Sequence, residues 1–233
     1  MFIPLHDQNQ LDHVPRPYVN LALIAVNVVI FLGFQGAGEL QAVGASSISH
    51  GLIPVVLFDI RDLAPQFQVL PDWMSLISYA FLHGSFMHLI GNMLFLWVFG
   101  DNVEDAMGHF RYLVFYLACA VTAGLAYAVL DLNSDTPLIG ASGAVSGVVA
   151  AYLMLHPRVK VWVLAFGRIP LRLTAQWLLG AWIVYQIFNA IVAEDSQVAW
   201  IAHVGGLVAG AILIVFFRRK GVPLFDRNLD PTG

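Results

Sequence analysis

Long apolar runs alternate with short polar connections along the whole chain. Six runs approach or exceed the length of about 20 mostly apolar residues that a transmembrane helix needs. They lie at about 18–34, 73–99, 110–130, 138–155, 171–192 and 198–217. The pattern therefore predicts an all-α membrane protein, a bundle of six transmembrane helices with both chain ends on the same side of the bilayer.

Composition places the chain firmly among membrane proteins. Of its 233 residues, 59% are hydrophobic and only 11% charged, whereas soluble domains carry about 25% charged residues. The net charge of -4 and the absence of basic clusters mixed with aromatics give nucleic acid no binding surface. The single cysteine, Cys119, has no partner for a disulfide or a metal cage, so we expect neither a metal nor another cofactor.

The basic residues predict the orientation, because positively charged loops stay in the cytoplasm. With the N-terminus inside, only Arg61 falls in an outer connection. The other ten fall inside: Arg16, Arg111, Arg158, Lys160, Arg168, Arg172, Arg218, Arg219, Lys220 and Arg227. We therefore expect a multi-pass cell-membrane protein with a cytoplasmic segment 1–17, a six-helix domain 18–217 and a short, loose cytoplasmic tail 218–233. The long outer connection at about 35–72 contains the apolar stretch 51–58, and we interpret this connection as a partly embedded interfacial element.

Four polar residues lie within the predicted spans, where polar groups are costly and mark functional sites. They are His88 and Asn92 in the second helix, Ser142 in the fourth and His203 in the sixth. Each alone has a structural explanation: a serine bonded back to its own helix, a packed histidine, or a polar bridge between helices. However, Ser142 and His203 are both predicted to lie at a shallow depth below the outer face. The two side chains are therefore expected to meet there.

Glycines flank both of these residues at a spacing that allows close helix contact. Gly143 and Gly147 form one G-x-x-x-G motif, and Gly206 and Gly210 form another. Either motif alone is equally typical of dimerisation or plain packing. Taken together, they predict that the fourth and sixth helices approach closely enough for a hydrogen bond between serine and histidine.

Three motifs, "GASG" at 140–143, "HLIGN" at 88–92 and "AHVGGLVAG" at 202–210, resemble those of the rhomboid family of intramembrane serine proteases. The family pattern is G-x-S-G in the fourth helix, H-x-x-x-N in the second and A-H-x-x-G-x-x-x-G in the sixth. The stretch "FGDNVEDAMG" at 99–108 also resembles the family's G-x-x-x-E-x-x-x-G, which implies a structural anchoring role for Glu104. The resemblance covers about 18–217.

This resemblance implies an endopeptidase that cleaves in or near the transmembrane segments of membrane proteins, with its site near the extracytoplasmic face. Ser142 would be the nucleophile and His203 the general base and acid, with His88 and Asn92 stabilising the oxyanion. Gly140 would belong to the close packing around the site. His83 is expected to bond to the first outer loop instead of taking part in chemistry.

The sequence departs from the family pattern at one informative position. Many rhomboids place an aromatic residue four positions after the nucleophile, where it stacks on the catalytic histidine, but here that residue is Ser146. The support of His203 is therefore not predicted.

Other classes remain as alternatives. A catalytically silent rhomboid-like protein that binds membrane helices would be expected to have lost the serine or the histidine, and both are present. A small transporter would show charged residues in mid-span or broken helices in repeated halves, which the sequence lacks.

Overall fold

The computed structural model describes residues 2–192 and 199–226, and helices make up most of this part of the chain. Its α-helices are α1 (Tyr18–Val29), α2 (Leu40–His50), α3 (Pro54–Leu57), α4 (Ser75–Ser78), α5 (Phe86–Phe95), α6 (Asp101–Met107), α7 (His109–Leu130), α8 (Ser142–Leu155), α9 (Ala175–Val192) and α10 (Trp200–Phe217). Two π-helical turns, Ile30–Phe34 and Leu96–Gly100, extend α1 and join α5 to α6. Val198, the predicted start of the sixth helix, and the tail from Arg227 onward lie outside the described residues.

Three helices of the described residues, α7, α9 and α10, are long and apolar enough to cross a membrane. A fourth candidate is the pair Asp72–Phe81 and Phe86–Met107, whose two parts meet at an angle of 84°. Tyr18–Phe34 and Ser142–Leu155 are apolar but shorter. The chain is therefore a mostly helical membrane protein with three to four candidate spans by length and composition.

The prediction of one continuous helix over 73–99 is wrong. The backbone becomes extended at Leu82 and again at Ser85. The Ser85 hydroxyl accepts a hydrogen bond from the backbone N–H of His88, which makes Ser85 the N-cap of α5. A new helix therefore begins at Phe86 and continues, through the π-helical turn and α6, as far as Met107.

Two further helices begin later than predicted. The fourth begins at Ser142, not Leu138, because Leu138 pairs with Leu52 in an isolated β-bridge. The fifth begins at Ala175, not Leu171, because the preceding residues form a strand.

A small antiparallel sheet corrects the all-α prediction. It contains β1 (Phe2–Asp7), β2 (Lys160–Ala165) and β3 (Ile169–Thr174) in the order β1-β2-β3. The segment 1–17 thus contributes a strand to the fold, and β2 and β3 form a hairpin between α8 and α9. Exposed and buried residues alternate at the start of β2, which is the signature of a half-buried strand.

The tail is packed as far as it is described, which corrects the prediction that it is loose. The backbone N–H of Phe225 donates to the carbonyl of Met154 at 2.7 Å. The Asp226 carboxylate accepts from the backbone N–H of Arg158 at 2.9 Å and contacts the ring of His156 at 3.2 Å. The tail to Asp226 is therefore fixed against the end of α8.

The same end of the bundle holds the start of α1. Glu104 is fully buried, and its carboxylate accepts the backbone N–H groups of Val19 at 3.0 Å and Asn20 at 2.7 Å. The ring of His109 contacts the same carboxylate. A carboxylate at a helix N-terminus satisfies free N–H groups and interacts favourably with the helix dipole. Glu104 therefore ties α1 to the turn between α6 and α7.

At the opposite end of the bundle, the connection before α5 contacts the connection before α8. The backbone N–H of Val55 donates to the carbonyl of Ser134, and Leu52 pairs with Leu138. Residues 51–55 are all buried, so this half of the stretch 51–58 packs into the protein. The connection that precedes α5 and the connection that precedes α8 thus meet at one end of the bundle.

Candidate active site

Ser142 is the first residue of α8, the central helix of the bundle, whose residues 143–152 are all buried. The preceding Gly140 has a φ of +124°, and its backbone N–H donates to the carbonyl of Tyr79 at 2.9 Å. A Cβ atom at this position would lie 2.7 Å from the ring of His88. Glycine is therefore required at 140, and the His88 imidazole lies directly against the segment that carries Ser142.

His203 lies one turn into α10 and is 9% exposed. Its Nε2 atom is 2.8 Å from the Oγ atom of Ser142, a normal hydrogen-bond distance. Its Nδ1 atom is 2.9 Å from Oε1 of Gln186 on α9. With its amide in this orientation, the Gln186 oxygen can only accept, which favours a proton on Nδ1 and a lone pair on Nε2 that faces the serine hydroxyl.

The close approach of α8 and α10 depends on their glycines. A Cβ atom at Gly206 would overlap the carbonyl oxygen of Gly143, and one at Gly210 would overlap that of Gly147. A Cβ atom at Gly147 would in turn lie 2.5 Å from the sulfur of Cys119 on α7. The two G-x-x-x-G motifs therefore pack backbone against backbone within one chain.

The two residues expected to stabilise an oxyanion have different neighbours. His88 borders Gly140, whereas the Asn92 amide is 3.1 Å from Nε2 of His83. The His83 and His88 rings meet edge to face, with centroids 5.1 Å apart. The structure thus places Asn92 in contact with His83, whose ring packs against that of His88.

The bond expected between His83 and the first outer loop is made by its backbone and not by its ring. Its backbone N–H donates to the side chain of Gln35, which lies where the outer connection begins. The imidazole instead contacts Asn92 and His88. Its ring is therefore part of the polar cluster beneath the loop and does not reach out to the loop itself.

Two residues that support His203 were missed by the sequence reasoning. Trp200 packs edge to face against the His203 ring, with centroids 5.8 Å apart, and Gln186 accepts from it. Ser146 faces elsewhere and donates to the carbonyl of Ser142 at 2.7 Å. Gln186 had a usable signal, because a glutamine within an apolar span is costly unless it faces a polar partner. Trp200 had none, since aromatic residues are common near membrane interfaces.

This arrangement can carry nucleophilic chemistry. A hydroxyl is paired with an imidazole whose lone pair faces it, and the imidazole is oriented by a third group. The serine also stands at a helix N-terminus, where backbone N–H groups have no partner within the helix and favour an anion.

Comparison with known proteins identifies the family. The family model of the Rhomboid domain matches residues 70–220, which is more than half of the chain and includes both Ser142 and His203. The chain belongs to the rhomboid family. Rhomboids are multi-pass membrane proteins, in keeping with the apolar helices described above.

Curated relatives include rhomboid proteases from bacteria. Rhomboid protease AarA of Providencia stuartii is 26% identical over 220 residues, covering 85% of this chain and 72% of that protein. Rhomboid protease GluP of Bacillus subtilis is 32% identical over 139 residues, covering 60% and 25%. Rhomboid protein 1, mitochondrial, of Saccharomyces cerevisiae is 31% identical over 169 residues, covering 69% and 46%. This rhomboid spans about half the length of several relatives, from 42% to 59% of four plant and yeast proteins.

Proposed function

We propose that this rhomboid is an intramembrane serine endopeptidase that cleaves peptide bonds in or near the transmembrane segments of other membrane proteins. The observation that carries the proposal is the 2.8 Å contact between Ser142 Oγ and His203 Nε2 at the N-terminus of a buried helix. The relatives named as rhomboid proteases support the same reaction class.

In this mechanism the Ser142 oxygen attacks the scissile carbonyl while His203 Nε2 takes the hydroxyl proton. His203 then gives that proton to the leaving amine, and water, activated by the same imidazole, hydrolyses the acyl-enzyme. No carboxylate is required, because the histidine needs only a fixed tautomer and orientation to act as a base. We propose no metal and no other cofactor.

The oxyanion would be stabilised by the backbone N–H of Ser142 and the side chains of His88 and Asn92. His88 already lies against Gly140, two residues before the serine. The Asn92 amide has two hydrogens, so contact with His83 leaves one available. One such donor contributes about 3 kcal/mol to kcat in serine proteases.

We further propose that residues 18–217 form a six-span domain with both termini in the cytoplasm. Contacts at the two ends of the bundle support this count. The start of α1, the turn after α6, the hairpin after α8 and the chain after α10 are joined at one end, whereas the connections before α5 and α8 meet at the other. Because the start of α1 and the chain after α10 lie at the same end, the chain crosses the bundle an even number of times.

The charge distribution supports the orientation, since ten of the eleven Lys and Arg residues then fall inside. Ser142 would consequently lie near the extracytoplasmic face, where water can reach it. A helical substrate hides its carbonyls in i to i-4 hydrogen bonds, so the scissile segment must unwind. Substrates with small residues or glycines near their outer ends meet this requirement.

The test is cleavage of a model transmembrane substrate by the purified chain in detergent or liposomes. We expect Ser142→Ala and His203→Ala each to abolish cleavage. His83→Ala, the matched histidine control in the same outer region, should retain a good part of the activity. Full cleavage by Ser142→Ala would refute the proposal.

A further inference from the structure

Helix α9 carries a single deeply buried residue in its second half. Between positions 181 and 192, only Gln186 is buried, at 3% exposure, while its neighbours Tyr185 and Ile187 are 56% and 43% exposed. Burying a glutamine on an apolar helix is unfavourable unless its amide finds a polar partner. The partner observed is the imidazole of His203.

The contact determines which nitrogen of His203 carries the proton. Gln186 Oε1 lies 2.9 Å from Nδ1, while Ser142 Oγ lies 2.8 Å from Nε2 on the other side of the ring. An amide oxygen only accepts, so this orientation of the Gln186 amide favours the tautomer with the proton on Nδ1. The opposite tautomer would place a proton on Nε2 and leave no lone pair to receive the serine proton.

Other contacts around the ring do not provide this selection. Ser146, in place of an aromatic residue, donates to a backbone carbonyl and does not face the imidazole. Trp200 meets the ring at 88°, which restricts its tilt but does not distinguish its two nitrogens. Within the described residues, Gln186 is the group that accepts from Nδ1 of His203.

We propose that Gln186 is the positioning residue of the catalytic base, so that the site operates as a serine-histidine-glutamine arrangement assembled from α8, α10 and α9. This inference rests on the proposed protease function. Gln186 contacts no substrate and acts through His203 alone. Being neutral, it selects the tautomer without adding a charge beside the imidazolium that forms during the reaction.

The first test compares Gln186→Leu with Gln186→Glu in the cleavage assay. Leucine matches the volume but cannot accept, so kcat should fall about 10- to 100-fold, below the full contribution of about 10²–10⁴ for a positioned base, with KM changed less than about threefold. Glutamate keeps an accepting oxygen in either protonation state, so it should recover most of the lost kcat. Asn189→Leu on the same helix is the matched control, because among the described residues the Asn189 amide donates to the carbonyl of Tyr185 in its own helix. It should cleave like the unmodified chain.

The second test reads the tautomer without relying on proteolysis. Nitrogen NMR of the ¹⁵N-histidine-labelled chain in micelles, with His203 assigned from the spectrum of His203→Ala, should show the Nδ1–H form. Gln186→Leu should convert His203 to a mixture of tautomers, whereas Asn189→Leu should not. A pure Nδ1–H signal in Gln186→Leu, or a Gln186→Leu kcat equal to that of the unmodified chain, would overturn the inference. An inactive unmodified chain that still shows a Gln186-dependent tautomer would refute the protease function and leave the positioning role standing.

Discussion

Adding one methyl group at Gly206 should separate the two groups that the proposed mechanism requires to touch. In Gly206→Ala the new Cβ would overlap the carbonyl oxygen of Gly143 and lie 2.8 Å from its carbonyl carbon, whereas ordinary contacts begin near 3.4 Å. Both atoms belong to the backbone, so no side-chain rotation relieves the overlap. We expect α8 and α10 to move apart by about 1 Å, since rigid, close-packed interiors transmit such strain.

A shift of this size exceeds what the site tolerates. It would lengthen the Ser142 to His203 contact from 2.8 Å to about 3.8 Å, beyond hydrogen-bond range. A misplacement of about 1 Å costs on the order of 10²-fold in rate. Overpacking costs about 1–3 kcal/mol of stability, offset by about 1 kcal/mol from the better helix propensity of alanine. We therefore expect a large loss of cleavage rate and only a small loss in the free energy of unfolding.

The assay measures cleavage and thermal unfolding on the same detergent preparation. Gly180→Ala on α9 is the matched control, because a Cβ atom there meets nothing within 4 Å. It should keep full activity and equal or slightly higher stability. Unchanged activity in Gly206→Ala would refute the claim that the glycine contact sets the distance between Ser142 and His203.

Two further predictions concern the end of the bundle that holds the start of α1. Glu104→Ala leaves the buried N–H of Asn20 and the part-buried N–H of Val19 without their partner and should lower the free energy of unfolding by about 2–4 kcal/mol, measured by denaturant titration. Exposed Glu39→Ala, the control, should change it by less than about 0.5 kcal/mol, and equal losses would contradict the capping role. Burial raises the pKa of Asp7 above its ordinary 3.8, opposed by the hydroxyl of Tyr152, so stability should fall as pH rises from 3.8 towards the folded pKa. Asp7→Asn should flatten this pH dependence of stability and be more stable at neutral pH. The same pH profile of stability in Asp7→Asn and the unmodified chain would contradict the role of Asp7.

Apolar run length predicted most of the helices but not where they begin. The run from 73 to 99 reads as one helix, yet the Ser85 cap stops and restarts it. Leu138 and Leu171 are apolar enough to continue a helix, but Leu138 pairs with Leu52, far away in sequence, and Leu171 pairs with Val163 across the β2–β3 hairpin. Hydropathy does not predict such pairings, because it carries no information on which backbone segment a residue hydrogen-bonds.

The candidate site was likewise predicted only in part. Spacing alone placed Ser142 and His203 on two helices with facing glycines, and the structure places these two side chains in contact. Their catalytic roles remain predictions. Gln186 belongs to none of the three motifs, although an amide side chain in an apolar helix is as costly at position 186 as at Asn92.

The central claim is that Ser142 is a nucleophile activated by His203. A serine-directed fluorophosphonate probe, followed by peptide mass spectrometry, tests it without a substrate. We expect one phosphonylated serine, Ser142, in the unmodified chain and none in His203→Ala. A label on another serine, or labelling of Ser142 that is equally fast in His203→Ala, would contradict the account.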